Sequence, residues 1–126
     1  MSGSGRRVMV VVEDDEDFRQ LVRLVLDADE RLSLSGEAAD AEQALEAART
    51  LQPDLAILDH FIAGSIMGLD LAPLLKEVAP DMRILLFTTH DLAIEVSRQP
   101  AIDGYLRKHD LRLLLPTIQA MLTLDP

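Results

Sequence analysis

The sequence predicts an α/β protein built on a parallel sheet of five strands with helices on both faces. Short apolar runs rich in β-branched residues alternate with segments of helical period, which is typical of repeated strand–helix units. The apolar runs are nearly continuous, as expected for strands that are buried on both faces. Because crossovers between parallel strands are almost always right-handed, helices should cover both sides of the sheet.

The first half of the chain supplies three strands and two helices. The run "VMVVV" at residues 8–12 is the first predicted strand, and residues 17–28 form a helix whose first-turn acids suit the helix dipole. Residues 31–38 are predicted as a weaker, edge-like strand. Asp40 is the predicted N-cap of the next helix, "AEQALEAARTL", with Gln43 at the reciprocal capping position. The third strand is "LAILD", which ends at Asp59.

The second half continues the alternation with two more units. A loop leads to the helix "LDLAPLLKEVA" and then to the fourth strand, "RILLFTT". The segment before Pro100 can hold only a short fourth helix, because proline interrupts it. "DGYLRK" is the fifth strand, and the last helix is expected after Asp110 as its cap, with Pro116 bending it or lying in its early turns.

Composition limits the classes of protein that the chain can belong to. With 126 residues it has the size of one domain, and we expect a flexible tail at 1–7, a single domain at 8–124 and no output domain. Twelve Lys and Arg against 22 Asp and Glu give a net charge of -10, which would repel a nucleic-acid backbone. Cysteine is absent, which excludes disulfides and thiolate metal sites. No apolar run approaches the roughly 20 residues of a membrane span, so we expect a soluble, cytoplasmic protein.

Polar residues stand at the predicted carboxyl ends of four strands. Asp14 and Asp15 follow the first strand, Asp59 ends the third, Thr88 lies at the end of the fourth, and Lys108 ends the fifth. In open parallel sheets the functional crevice lies outside these strand ends. The sequence therefore predicts one rim that gathers three carboxylates, a hydroxyl and an ammonium group.

Three neighbouring carboxylates raise one another's pKa unless a cation compensates them. Magnesium suits this set of oxygen ligands, because it is commonly held by one or two carboxylates together with a phosphate. Lys108 would then hold a phosphoryl oxygen. A metal ion, a lysine and a hydroxyl directed at Asp59 predict phosphoryl transfer onto that carboxylate, a reaction that consists mostly of positioning and charge neutralisation.

The chain resembles the receiver domains of bacterial two-component response regulators, the CheY-like family, over nearly its whole length. The motifs that carry the resemblance are "VVVEDDEDF", "PDLAILD", "ILLFTTHD" and "DGYLRK", in the family's order and near its spacing. The resemblance implies a flavodoxin-like fold of five strand–helix units with strand order 2-1-3-4-5. It also implies that a histidine kinase or a histidine phosphotransfer protein donates the phosphoryl group, and that an unidentified downstream protein receives the signal.

The resemblance assigns expected roles to particular residues. Asp59 would accept the phosphoryl group, Asp14 and Asp15 would bind Mg²⁺ with Asp59 and the backbone carbonyl of Phe61, and Lys108 would pair with the phosphoryl group. Thr88 would turn its hydroxyl toward that group, and Tyr105 matches the family's switch aromatic. Phe61 and His90 occupy positions that tune the loss of the phosphoryl group to water. Such a domain catalyses its own phosphorylation and dephosphorylation and is not a conventional turnover enzyme.

The loop after Asp59 departs from the family pattern. Ile62 and Ala63 stand where the family usually has methionine and proline, and Gly68 comes one position later than the usual glycine. The segment between His90 and Gly104 is also shorter than in the class that it resembles. We therefore expect the site chemistry to be better preserved than the usual output face around the fourth helix.

Two other functions remain open at this point. The first is a degenerate receiver that binds proteins without phosphorylation, which the altered loop motivates. The second is a Mg²⁺-dependent phosphohydrolase, for which Asp15 and Asp17 offer an Asp-x-Asp spacing after the first strand. A homodimer is a further hypothesis, through a predicted apolar patch on the last helix composed of Leu111, Leu114, Leu115 and Ile118.

Overall fold

A computed structural model describes residues 5–11, 15–62, 64 and 66–125. The described residues form one parallel sheet of five strands in the order β2-β1-β3-β4-β5, as the sequence and the family resemblance predict. The strands are β1 (Arg6–Val11), β2 (Leu32–Ala38), β3 (Leu55–Leu58), β4 (Arg83–Thr88) and β5 (Gly104–Arg107).

Helices follow the strands in sequence and pack against the sheet. They are α1 (Glu16–Asp27), α2 (Ala41–Leu51), α3 (Gly68–Val78), α4 (Ala93–Ser97), a 3-10 helix (Lys108–Leu113) and α5 (Leu114–Met121). No helix in the described part of the chain is both long enough and apolar enough to span a membrane.

The core consists of two layers, one on each face of the sheet, because successive residues of a strand point to opposite faces. Val8 and Val10 of β1 pack with α1 and α5, whereas Met9 and Val11 pack with α2 and α3. All four of these side chains are fully buried. The near-continuous apolar pattern of the strands is explained by this burial on both sides.

The start of α2 confirms Asp40 as the predicted N-cap, whereas the Gln43 side chain reaches back to the residue before the cap and not to the cap itself. The Asp40 side chain accepts a hydrogen bond from the backbone N–H of Gln43 at 2.8 Å, and the Gln43 side chain accepts one from the N–H of Ala39 at 2.9 Å. These bonds satisfy backbone donors that have no partner inside the helix.

The end of the chain differs from the sequence prediction. Asp110 is not the cap of α5: it has non-helical dihedrals (φ −99°, ψ 39°) at a kink within the 3-10 segment that begins directly after β5, at Lys108. The α-helix starts only at Leu114, and its N-terminus has no side-chain cap. Pro116 is the third residue of α5, where a missing N–H removes no hydrogen bond, so its predicted place in the early turns is confirmed.

The short fourth helix is also confirmed. Helix α4 spans only the five residues Ala93–Ser97, and none of its side chains is buried.

The apolar residues that the sequence offered as a dimer patch pack in the core. Leu114 and Ile118 are fully buried, and Leu111 and Leu115 pack partly buried against the same layer, so core packing accounts for the patch that the sequence offered as a dimer surface.

Candidate functional site

The candidate site is centred on a salt bridge between Asp59 and Lys108. Asp59 directly follows β3, and its backbone N–H donates to the carbonyl of Val11 at the end of β1. Its side chain is 10% exposed, and its Oδ2 accepts a hydrogen bond of 2.7 Å from Nζ of Lys108, which directly follows β5. Two strand ends that are 49 residues apart in sequence therefore join at one rim of the sheet, as predicted.

The ring of Phe18 lies against the ammonium group of Lys108. Nζ of Lys108 lies 4.1 Å from the centroid of the Phe18 ring, a distance at which the ammonium is attracted to the negative face of the ring. Phe18 is buried in the first turns of α1 and packs against Phe87 of β4 with ring centroids 5.6 Å apart. The ammonium group is thus held between a carboxylate and a ring, which fixes its direction.

Asp15 holds the start of α1 at the same rim. Its Oδ1 accepts a hydrogen bond of 3.0 Å from the backbone N–H of Phe18, which makes it the N-cap of the helix. A carboxylate at this position also interacts favourably with the helix dipole. Asp14, the other predicted ligand from this segment, lies outside the described residues.

Thr88 is fully buried at the end of β4 and lies opposite Arg107 in the register of the sheet. Its Oγ1 accepts a long hydrogen bond of 3.4 Å from the backbone N–H of His90, so the hydroxyl faces the loop that follows the strand. The structure places this hydroxyl at the predicted rim.

Tyr105 is bonded to the loop between β4 and α4. Its hydroxyl accepts a hydrogen bond of 2.7 Å from the N–H of Leu92 and donates one of 2.9 Å to the carbonyl of His90. The predicted switch aromatic therefore contacts the segment that immediately follows Thr88. The switch role of this ring stays a prediction.

The loop after Asp59 reaches the site through its first residues. The N–H of Phe61 lies 3.4 Å from Oδ1 of Asp59, and Ile62 is buried against α3 in place of the family's usual methionine. The loop closes where the N–H of Gly68 donates to the carbonyl of His60 at 2.7 Å. Ala63, which stands where the family usually has proline, lies outside the described residues.

Three aromatic side chains line the outer edge of the site. The Phe61 ring lies between those of His60 and His90, with centroid distances of 5.0 and 4.6 Å. Burial lowers the pKa of the His60 imidazole, which favours its neutral form at pH 7. Its Nδ1 is buried and has no hydrogen-bond partner among the described residues.

The oxygen donors at the rim fit magnesium better than a softer metal. Asp15 and Asp59 supply carboxylates, and the chain has no cysteine that could supply a thiolate. Among the described residues no group of three acidic or histidine side chains forms a metal cluster by itself. Magnesium is commonly held by one or two carboxylates together with water, and Asp15 and Asp59 are carboxylates of this kind.

Sequence reasoning missed two residues that contact the site. Phe18 contacts Lys108. In the sequence, this contact could have been suspected from an aromatic residue in the first turn of the helix that begins at the acidic rim. Arg107 binds the carbonyl of Thr89 through Nε at 3.2 Å and Nη2 at 2.9 Å. The sequence could have indicated this role of Arg107, because Arg107 lies two residues after Tyr105 and residues i and i+2 of a strand share a face.

A parallel sheet of this order, with an acid and a lysine joined at its carboxyl-terminal rim, defines a class of signalling domain. Residues 9–119 match the sequence model of the response regulator receiver domain. The chain therefore belongs to the response regulator receiver domain family, whose members act in two-component systems, typically bind Mg²⁺ at the phosphorylation site and interact with histidine kinases or phosphotransfer proteins.

Individual relatives agree with this assignment. The chain is similar to the nitrate/nitrite response regulator protein NarL of Escherichia coli K12, with 29% identity over 110 residues that cover 86% of this chain and 50% of NarL. It thus spans about half the length of that curated relative.

Solved structures agree as well. A LuxR-family two-component response regulator from Aurantimonas sp. SI85-9A1 superposes with a TM-score of 0.84 at 28% identity, covering 95% of this chain and 86% of the other. The receiver domain of NarL from Mycobacterium tuberculosis gives a TM-score of 0.83 at 26% identity, covering 95% and 98%. The response regulator domain of Thermotoga maritima CheB shares the fold, with a TM-score of 0.81 at 21% identity, covering 97% and 99%.

Proposed function

We propose that Asp59 accepts a phosphoryl group from a phosphohistidine of a histidine kinase or phosphotransfer protein, and that this changes the affinity of the domain for a downstream protein. The observation that carries the proposal is the hydrogen bond of 2.7 Å between Lys108 Nζ and Asp59 Oδ2 at a rim of the sheet. The phosphohydrolase hypothesis has less support, because Lys108 pairs with Asp59, whereas Asp15 uses a carboxylate oxygen to cap α1.

The proposed reaction transfers a phosphoryl group between two nucleophiles. The P–N bond to the donor imidazole breaks, and a P–O bond to a carboxylate oxygen of Asp59 forms, which gives an acyl phosphate and a free histidine. When bound, magnesium neutralises negative charge on the phosphoryl oxygens. Lys108, already directed by Asp59 and the Phe18 ring, offers its ammonium to a phosphoryl oxygen.

The product carries more negative charge than the aspartate that it replaces. Added charge at this rim can bias an equilibrium between two conformations of the neighbouring loop, which is how phosphorylation alters protein contacts elsewhere. Thr88 supplies a hydroxyl at the head of that loop, and Tyr105 already contacts the loop backbone through two hydrogen bonds.

Intact-mass spectrometry tests the proposal directly. The protein is incubated with Mg²⁺ and acetyl phosphate, beside Asp59→Asn and a sample with chelator. We expect one phosphoryl addition that requires Mg²⁺ and disappears in the variant. An addition that persists in Asp59→Asn but is lost in Asp15→Asn would favour the phosphohydrolase chemistry. No addition under any condition would indicate a degenerate receiver that binds partners without phosphorylation.

A further inference from the structure

Two side chains of β5 hold the backbone of the loop that follows Thr88. The Arg107 guanidinium donates two hydrogen bonds to the carbonyl of Thr89, through Nε at 3.2 Å and Nη2 at 2.9 Å. Two residues earlier on the same face, the Tyr105 hydroxyl bonds the carbonyl of His90 and the N–H of Leu92. Three backbone groups at residues 89–92 are therefore bound by side chains from the neighbouring strand.

The loop has few other anchors. Helix α4, which follows it, spans five residues and buries none of their side chains, although Leu92 and Val96 pack partly buried on the core. Hydrophobic burial therefore fixes this segment less than it fixes the other α-helices. Hydrogen bonds from a charged donor are stronger than bonds between neutral groups in a similar environment, and Arg107 places two such bonds on one carbonyl of the loop.

The position of Arg107 links this restraint to the site. Arg107 pairs with Thr88 in the parallel register of β4 and β5, and its side chain binds the carbonyl of the very next residue. In the same arrangement the Thr88 hydroxyl accepts from the N–H of His90. The Arg107 and Tyr105 bonds to the loop and the bond from the His90 N–H to the Thr88 hydroxyl therefore occur together in one conformation.

We propose that Arg107 is a positioning residue that latches the loop in its unphosphorylated position. This inference rests on the proposed phosphorylation of Asp59 and adds a restraint that opposes the switched conformation. When Thr88 turns its hydroxyl toward a phosphoryl group on Asp59, the backbone at Thr89 shifts and the Arg107 bonds are lost. A bond made in only one of two states shifts the equilibrium toward that state.

The test compares Arg107→Gln with the wild-type protein, with Arg107→Lys as the conservative variant and Arg112→Gln, an exposed arginine in the 3-10 helix, as the control. The first measurement is amide hydrogen exchange at His90 and Leu92 without any phosphoryl donor. We expect faster exchange in Arg107→Gln, an intermediate rate in Arg107→Lys, and no change in Arg112→Gln.

The second measurement is the affinity for beryllofluoride with Mg²⁺, a stable analogue of the phosphoryl group. Loss of the latch should raise this affinity about fivefold or more in Arg107→Gln, the size of a typical coupling between sites. A merely structural role would lower the affinity or leave it unchanged, and either result overturns the latch.

The two measurements also separate this inference from the function on which it rests. If wild-type protein binds beryllofluoride and Arg107→Gln shows neither faster exchange nor tighter binding, the latch alone is contradicted. If the wild-type protein does not bind beryllofluoride, the proposed function is contradicted and the latch with it.

Discussion

Gly68 lies against the backbone of His60, and its N–H donates to the His60 carbonyl at 2.7 Å. A β-carbon at Gly68 would approach the Cα of His60 to 2.9 Å and the carbonyl carbon of Asp59 to 3.1 Å, and the carbonyl oxygen of Asp59 even more closely. All of these neighbours are backbone atoms, which cannot rotate away as a side chain can. The first residue of α3 is therefore packed directly behind the proposed phosphoacceptor.

Replacing Gly68 by alanine should move the backbone that carries Asp59. We expect Gly68→Ala to destabilise the protein by about 1 to 3 kcal/mol, the usual range for an overpacked core. We also expect phosphorylation of Asp59 by acetyl phosphate to slow by at least about tenfold, because small displacements of a reacting group reduce rates strongly. Urea denaturation and a time course of intact mass measure the two effects.

Gly36→Ala provides the matched control. A β-carbon at Gly36 would lie 2.8 Å from Cδ1 of Leu51, the flexible end of a side chain that can shift. We expect a smaller loss of stability and an unchanged rate of phosphorylation. If both variants slowed phosphorylation equally, the close packing of Gly68 behind Asp59 would have no specific role.

A second prediction concerns the coupling between Lys108 and Asp59. Lys108→Ala should slow phosphorylation by about 100-fold, comparable to the loss of one donor to a developing negative charge. A double-mutant cycle with Asp59→Asn, measured by urea denaturation without phosphodonor, should give a coupling free energy of about 0.5 to 3 kcal/mol. A coupling near zero would mean that the 2.7 Å contact contributes nothing in solution.

The sequence was sufficient to predict those parts of the site that follow from strand ends. Asp59, Thr88 and Lys108 each end or directly follow a strand, and the carboxyl ends of parallel strands meet at one edge. The fold class followed from the same alternation of strands and helices. The strand order, by contrast, came from the family resemblance, because periodicity does not determine which strands are neighbours.

Contacts that depend on tertiary packing could not be predicted. Asp110 has the residue type of a helix cap, but the chain forms a 3-10 segment with a kink at Asp110, and α5 begins only at Leu114. The two hydrogen bonds from the Arg107 guanidinium to the Thr89 carbonyl depend on the pairing of β4 with β5. Local propensity gives no information about a contact of this kind, because it joins residues that are distant in sequence.

A third prediction concerns the ring beneath Lys108. Phe18→Leu keeps an apolar side chain at the position but removes the π face that lies 4.1 Å from the ammonium. We expect the protein to lose about 1 to 2 kcal/mol of stability and the rate of phosphorylation to fall severalfold, because the ammonium is less well directed. Intact-mass time courses and urea denaturation again provide the measurements.

Phe87→Leu is the control for this variant. Both substitutions remove the contact between the rings of Phe18 and Phe87, but only Phe18→Leu removes the ring under the ammonium. We expect similar losses of stability and a reduced rate in Phe18→Leu alone. Equal rates in the two variants would assign the effect to core packing and not to the cation–π contact.

The last prediction concerns the pH dependence of stability and depends on Asp29, in the turn between α1 and β2. The Arg31 guanidinium binds both of its carboxylate oxygens, at 2.9 and 2.7 Å, and the Gln119 side chain of α5 donates to Oδ2 at 3.0 Å. The hydrogen bonds of Arg31, followed by that of Gln119, hold the pKa of Asp29 well below its usual range. This carboxylate therefore joins the turn after α1 to the last helix.

Because the pKa of Asp29 is lower in the folded than in the unfolded protein, ionised Asp29 stabilises the fold. Its contribution is present above the ordinary aspartate pKa of about 4 and is lost as the pH falls below that value toward the lowered pKa of the folded state. Asp29→Asn should therefore lower the melting temperature at pH 7 but have a progressively smaller effect below pH 4. Glu77→Gln, at an exposed position on α3, should show no such dependence. Melting curves from pH 7 to pH 3 measure the difference, and a deficit of Asp29→Asn that stayed constant over this range would show that the charge of Asp29 does not stabilise the fold.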